Sequence, residues 1–257
     1  MLDEGRNAIT QISPERWSLE RFGHPRTGTP DHSITWTAGQ IDRPLDFDPD
    51  FFRISPREAL QIDPQQRLLL EVTWEALEQG AIRLSELAGS RTSVFVGASA
   101  LDYSHRFLLD PASADVRFMT GNTLSIISNR ISYIYDLHGP SFTIDTAVVA
   151  GVNLLFSPFT FIGFSRTSML SPHGMRRAFD ADGDGYVRSD GAAVIVLRTA
   201  SAARNAGNRE HARLVATRVN SDGRTVGMSL PSSESQADLL EAVYRDFELD
   251  PNDLAFI

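Results

Sequence analysis

The sequence contains no cysteine. That absence removes disulfides, thiolate zinc sites, iron–sulfur clusters and a cysteine nucleophile together. It is compatible with the cytoplasm. No apolar run approaches the ~20 residues that cross a bilayer. The opening Met1-Leu2-Asp3-Glu4-Gly5-Arg6 has no apolar stretch behind a basic one, so it does not read as a signal peptide. The expectation is a soluble, cytoplasmic protein with no membrane partner. Positive charge is also in deficit, with 24 Lys and Arg against 33 Asp and Glu and a formal net charge of −9. This argues against a nucleic-acid partner, but leaves room for a local basic patch facing an acidic protein. Internal repeats of solenoid period and low-complexity linkers are missing as well.

What is present is a chain of 257 residues, 42% hydrophobic, enough for one large domain or two small ones with a core. Residues 1–50 are rich in Pro, Gly and Asp and read as a short helix followed by loops, with 23–31 a loop on turn chemistry. Ser55-Pro56-Arg57-Glu58 is a capping box with proline at the first helical position. Asp63-Pro64-Gln65-Gln66 repeats the device and predicts a helix from Pro64 to about Gln79, stopped by Gly80, with Leu69, Val72, Ala76 and Leu77 as its buried stripe. Strands are expected at 92–97, 141–145, 148–155, 192–198 and 214–219. Helices are expected at 122–135 and 236–247, the latter with Leu239, Leu240, Val243 and Phe247 on one side. Alternating strands and helices make this an α/β domain. One place is odd: strand-like 142–145 runs through Thr146-Ala147 into strand-like 148–155 with no turn or helix. Two buried strands of such a sheet need a crossover of a dozen or more residues, so this is either one long strand or a place where something is missing.

Several strings, in order, resemble the β-ketoacyl synthase domain of modular, type I polyketide synthases. The first covers residues 47–59, then Asp63-Pro64-Gln65-Gln66-Arg67-Leu68-Leu69-Leu70-Glu71 and Trp74-Glu75-Ala76-Leu77-Glu78. Thr120-Gly121-Asn122 follows, with Ser128-Asn129-Arg130-Ile131-Ser132-Tyr133. Then come residues 139–147, Phe164-Ser165-Arg166 with Met169-Leu170-Ser171-Pro172, Phe179-Asp180 with residues 184–191, and Val219-Asn220-Ser221-Asp222-Gly223. The resemblance implies an α/β, thiolase-like layered αβαβα fold, here its N-terminal half and incomplete, so that 1–257 is a partial ketosynthase N-terminal domain. It also implies the family reaction of polyketide and fatty-acid biosynthesis, a decarboxylative Claisen condensation of carrier-bound acyl and malonyl thioesters. A cysteine thiolate takes the acyl chain, a helix N-terminus lowers its pKa, and two histidines with backbone amides stabilise the developing charge. Substrates ride on the phosphopantetheine of an acyl carrier protein, and the chain itself binds no cofactor and no metal.

The departures are as informative. The family's nucleophile follows Asp-Thr-Ala, yet Ala147 is followed by Val148. The buried helix that comes next in the family is absent, an apparent internal deletion at 147/148 of roughly two dozen residues on ordinary element lengths. Relatives often carry Asp-Thr-Ala, or something close, again at the head of the second strand. A deletion between those short repeats would leave the single copy Asp145-Thr146-Ala147. The family's first strand would precede Met1, and its two catalytic histidines lie beyond Ile257, so no catalytic residue is assigned. Phe164 is the candidate for lining the acyl pocket, against a plain role as a core aromatic. The chain as written is expected to be inactive. The alternative is a non-catalytic partner that binds the carrier protein, forms a homodimer, or pairs with an intact ketosynthase.

Three other patterns carry less. Asp180-Ala181-Asp182-Gly183-Asp184-Gly185 mimics an EF-hand opening, but the twelfth position is Gly191 rather than glutamate, so a turn is expected. Gly97-Ala98-Ser99-Ala100-Leu101 lacks the closing glycine of a nucleophile elbow, with Asp102 and His105 nearby. Asp190 reads as structural, tied to backbone amides or a neighbouring base, Arg130 as an ion-pair residue, and Trp36 and Trp74 as core or groove aromatics.

Overall fold

The computed structural model describes residues 7–26, 29–98, 100–108, 114–139, 146–222 and 231–255. The expected strand at 141–145, and Ser99, lie outside them. The elements run β1 (Ile9–Gln11), α1 (Leu19–Phe22), β2 (Thr37–Gly39), α2 (Pro56–Gln61), α3 (Pro64–Gln79), α4 (Leu84–Leu87), β3 (Ser93–Gly97), α5 (His105–Leu108), α6 (Phe118–Asn122), α7 (Leu124–Tyr135), β4 (Thr146–Asn153), α8 (Pro158–Arg166), β5 (Gly191–Arg198), α9 (Ala200–Asn205) and α10 (Ser233–Asp246). The chain divides into two compact units, Met1–Arg209 and Glu210–Ile257.

Local chemistry sets the helices of the first unit. Ser55 Oγ accepts from the Glu58 amide at the start of α2, and Asp63 accepts from the Gln65 amide at the start of α3, each with proline at the first position. Gly80 ends α3 with its N–H on the Ala76 carbonyl. Leu69 and Leu77 are buried as the helical spacing predicts, and so is Leu70. The polar start of α3 is buried too. Arg67 donates to the Ile62 and Leu45 carbonyls and to the Tyr103 hydroxyl, which is how a guanidinium is tolerated in a core. The Thr120-Gly121-Asn122 motif fastens α6 to α2. A Cβ at Gly121 would stand 2.2 Å from the Gln61 carbonyl oxygen, so only glycine permits this approach. The Gly121 carbonyl accepts from the Asp63 amide at 2.9 Å and from Gln66 Nε2 at 2.8 Å. Asn122 Nδ2 donates to the Gln61 carbonyl at 2.9 Å.

β3, β4 and β5 form a three-stranded sheet in that order, β3 parallel and β5 antiparallel to β4. The register sets Val149 between Phe95 and Ile195, and Gly151 between Gly97 and Ala193. Alternate residues point to opposite faces, and in β4 Thr146, Val148, Ala150 and Val152 are buried. On that face Ala150 and Val152, with Val94, Val96, Ala192, Val194 and Val196, join the main core made by Leu69, Leu70 and Leu77 of α3 and Ile127 and Ile131 of α7. The opposite face is exposed along its centre, with Phe95 at 42% and Ile195 at 55% of full accessibility. The lead-in has the expected short helix, α1, followed by loops, and adds a strand pair that was not expected, β1 and β2 running antiparallel with Ile9 opposite Gly39. Each is three residues long, too short to show alternation in sequence.

In the second unit α10 starts where Ser232 Oγ accepts from the Ser235 amide. On its expected apolar side Leu239 and Val243 are half-buried and Leu240 and Phe247 exposed, while Ala242 is buried. The strand expected at 214–219 is not formed: the segment has no regular structure and Leu214, Val215 and Val219 are exposed. Apolar and β-branched residues favour a strand only where a neighbouring strand supplies a ladder, and none pairs with this segment among the described residues. No helix among the described residues is long and apolar enough to cross a membrane.

Candidate functional site

The site is built around β4 and its two ends. The Ala147–Val148 junction lies inside β4, in an unbroken ladder with Ser93 opposite Ala147 and Val94 opposite Val148. Val148 is completely buried and pairs across the sheet with Val94 and Val196. The next helix, α8, begins only at Pro158. A side chain at 148 therefore sits within a pleated sheet, away from any helix N-terminus, and the valine there offers no nucleophile, proton or ligand atom.

At the other end of β4 the chain runs through Leu154, Leu155 and Phe156 to Ser157, whose Oγ caps α8 by accepting from the Phe159 amide. Asp190 secures this end. Its carboxylate accepts from Arg16 at 2.5 Å, from the Ile41 amide at 3.1 Å and from the Leu155 amide at 2.8 Å, and both charged side chains are almost fully buried. Burial pushes the Asp190 carboxyl up, while Arg16 and the two amides pull it down. The reading of Asp190 as structural holds. Sequence spacing does not reveal its partner Arg16, since 174 positions separate them. Arg130 is likewise structural, bound to Gln66 Oε1 at 2.5 Å and Glu58 at 3.2 Å. Trp74 packs on the main core and edge-on against Phe51, whereas Trp36 is partly exposed.

Asp102 and His105 do not form the base pair of a triad. Asp102 accepts from the Ser157 amide at 3.1 Å. Burial pushes its carboxyl up, opposed by that bond and by the charges of Arg188 and His105. His105 lies edge-on to Phe159 at 5.9 Å, and its Nδ1 is buried with no hydrogen-bond partner among the described residues. Phe164 is half-buried, set against Tyr186 at 5.9 Å within the second core cluster of Trp17, Leu155 and Phe161. The Arg188 guanidinium stands 5.2 Å from the Phe161 ring centre and 5.3 Å from that of Phe164. Its pKa is lowered by burial, and its Nη1 is buried without a partner. Gln65 Oε1 and Thr160 Oγ1 are unpartnered too. Buried polar atoms are normally satisfied; of these, Thr160 shares α8 with Phe164 and Arg188 lies beside its ring. Sequence spacing could not show this, because it depends on which atoms find no partner after folding.

The 180–185 segment is a turn: the Asp182 amide donates to Asp180 Oδ1 and the Gly183 amide to the Asp180 carbonyl, while Asp184 is engaged by His173 at 2.5 Å. Among the described residues no group of three or more His, Asp or Glu could hold a metal. An open recess of about 650 Å³ lies between residues 41–48 and α3, lined by Asp42, Asp46, Asp48 and Glu71. None of the candidate site residues lines it.

Comparison with known proteins matches the family model "Beta-ketoacyl synthase, N-terminal domain" to residues 1–148 and 143–203. The two pieces overlap at 143–148, a stretch that includes Asp145-Thr146-Ala147. A hybrid PKS-NRPS synthetase of Penicillium oxalicum is 42% identical over 279 positions, covering 98% of this chain and 7% of the relative. A phenolphthiocerol/phthiocerol polyketide synthase from Mycobacterium tuberculosis is 38% identical over 279 positions, covering 100% of this chain and 15% of the relative. An alignment of 279 positions on a chain of 257 leaves at least 22 positions of each relative without a counterpart here. Among solved structures, the oxazolomycin ketosynthase domain of Streptomyces albus JA3453 superposes with a TM-score of 0.89 at 30% identity, over 98% of this chain and 47% of that one. The ketosynthase from module 6 of the bacillaene synthase of Bacillus subtilis 168 gives 0.86 at 28%, over 96% and 45%. The chain thus spans a small part of the curated relatives and under half of the solved domains.

Proposed function

The chain belongs to the β-ketoacyl synthase family, in its type I polyketide synthase branch, and has that family's thiolase-like α/β fold; from that premise we propose that it is a form of the domain with no condensing activity. In the family reaction a thiolate attacks a carrier-bound acyl thioester and the carrier thiol leaves. A malonyl thioester then loses carbon dioxide, and its enolate carbon attacks the enzyme-bound acyl group, expelling the thiolate. The observation that carries the proposal is Val148, a fully buried mid-strand residue that directly follows Asp145-Thr146-Ala147, in a chain with no cysteine. A deletion between two short repeats accounts for the overlap of the family matches at 143–148.

The acyl carrier protein remains the partner, with substrates on its phosphopantetheine, and Phe164 beside Arg188 is the proposed wall of the residual acyl pocket. The cytoplasm is the proposed location. The second reading, a non-catalytic protein that binds the carrier or pairs with itself or an intact ketosynthase, is favoured by the exposed apolar face of the sheet. The test is incubation of the purified chain with an acyl-carrier thioester and with a thiol-directed ketosynthase inhibitor, followed by intact mass measurement. No adduct is expected, and a stoichiometric covalent adduct on any residue would overturn the proposal.

A further inference from the structure

Three guanidiniums of the first unit are buried with oxygens around them. Arg16 has the Asp190 carboxylate, Arg67 the Ile62 and Leu45 carbonyls, and Arg130 has Glu58 with Gln66 Oε1. Arg188 differs. It stacks between the Phe161 and Phe164 rings, and its Nη1 is buried without a hydrogen-bond partner. Burial lowers its pKa, while the charges of Tyr186, Asp102 and Asp190 raise it. Two carboxylates therefore stand near enough to balance the charge of Arg188, yet their oxygens are engaged elsewhere. Asp102 accepts from the Ser157 amide, and Asp190 accepts from Arg16 and from the Ile41 and Leu155 amides. Two more donors beside the same rings lack an acceptor. The Thr160 hydroxyl, four residues before Phe164 on α8, has no partner, although a helical threonine can return its hydroxyl to the carbonyl one turn back. The Trp17 indole N–H has none either, and its ring lies 5.4 Å from that of Phe161. What this cluster lacks is an oxygen acceptor and not a counter-ion.

We propose that Arg188 and Thr160 are specificity-determining residues, selecting an acyl chain that carries a keto oxygen along its length over a fully saturated one. The rings of Phe161, Phe164 and Tyr186 supply the apolar surface for the chain, and the orphan donors supply the discrimination. A keto oxygen gives Nη1 and the Thr160 hydroxyl the acceptor they lack. A saturated chain covers them with hydrocarbon and leaves them unpaired, which is the arrangement that proteins penalise most. A carboxylate is disfavoured, because Asp102 and Asp190 already balance Arg188 and a third negative charge would be in excess. Phe164, Tyr186 and Arg188 are half-buried, so the wall reaches the surface. The two orphan atoms are themselves shielded, so entry requires the Phe164 ring, which lies against Arg188, to turn aside. The inference rests on the reading of Phe164 and Arg188 as a wall of the residual acyl pocket, and it does not depend on the lack of condensing activity.

The probes are the hexanoyl thioester of N-acetylcysteamine and its 3-oxo and 5-oxo counterparts, titrated calorimetrically into the full chain. At least one oxo probe should bind about tenfold or more tightly than the saturated one, the ratio expected for a hydrogen bond from a charged donor. In Arg188→Met that ratio should fall to about one. Thr160→Val, which keeps the shape of the side chain and removes the hydroxyl, should reduce it severalfold, and it carries the test if Arg188→Met does not fold by circular dichroism. Equal affinity for the saturated and both oxo probes overturns the inference and leaves the pocket reading standing. A preference that survives unchanged in the folded variants overturns it as well, because other residues would then make the distinction. Failure of all three thioesters to bind overturns both the inference and the pocket reading.

Discussion

Placing a cysteine directly after Asp145-Thr146-Ala147, where we propose that the family's nucleophile would stand, should not confer condensing chemistry, and the burial of that position says by how much it should fail. In Val148→Cys the thiol would occupy a completely buried mid-strand site flanked by Val94 and Val196. Removing part of a buried aliphatic side chain costs about 1 kcal/mol, so the variant should still fold. An ordinary thiol, with a pKa near 8.5, is a few per cent thiolate at pH 7, and burial among apolar groups lowers that fraction further. The activation that family members obtain from a helix N-terminus is unavailable at 148, since α8 begins ten residues later at Pro158. If a reagent reaches the thiol only by way of the unfolded state, a stability of about 5 kcal/mol slows labelling by about 10⁴ relative to a free thiol. The assay compares aromatic-disulfide labelling at pH 8 in native buffer and in denaturant, alongside acylation by an acyl-carrier thioester. Rapid native labelling, or stoichiometric acylation of Cys at 148, would refute the placement of this residue in a closed sheet.

Two further outcomes concern stability. Asp190→Ala strands a buried Arg16 and two backbone amides, so chemical denaturation should show a loss of about 3–5 kcal/mol, and a loss under 1 kcal/mol would mean that water reaches the pair. Asp63, buried at the start of α3, has its carboxyl pushed up to about 6 by desolvation, against hydrogen bonds from Gln65 that pull it down. Its protonated form is favoured on folding, so its contribution is complete below the unfolded value of 3.8 and is lost as pH rises through about 6. At about 1.4 kcal/mol per pKa unit the swing is of order 3 kcal/mol. Asp63→Asn, which keeps a capping oxygen, should flatten the pH–stability curve between pH 4 and 7, and an unchanged slope would assign the titration elsewhere.

The parts of the fold that were legible are those whose cause is local. α3 begins at Pro64 and ends at Gln79 because Asp63, Pro64 and Gly80 are adjacent in sequence to the groups they cap. β3 and β5 fall where β-branched runs predict them, and β4 lies within two residues of its expected bounds. The β1–β2 pair was not legible, because it depends on Ile9 meeting Gly39 across the whole lead-in. Residues 214–219 carry the composition of a strand, but composition does not report whether a partner is present. At the candidate site, the structural role of Asp190 could be read from the string. Arg16 and the unpartnered His105, Thr160, Arg188 and Gln65 atoms could not, because each is defined by what folding places, or fails to place, beside it.

The alternation along β4 bears on how such a chain could arise and persist. A strand has two phases, and a join is tolerated in only one of them. With Thr146, Val148, Ala150 and Val152 inward, the segment turns Ala150 and Val152 into the main core, against α3. An offset of a single residue at the join would instead turn Ala147, Val149, Gly151 and Asn153 toward that helix, putting a glycine and an amide into the core and Val148 and Val152 outside. The proposed deletion, sparing one copy of a short repeat, would be in phase if the residues that remain already stood at the head of such a strand. The parity of the pleat thus acts as a filter on genetic accidents: losses that keep the phase leave the apolar side chains facing the helix, and losses that shift it turn them to the other face.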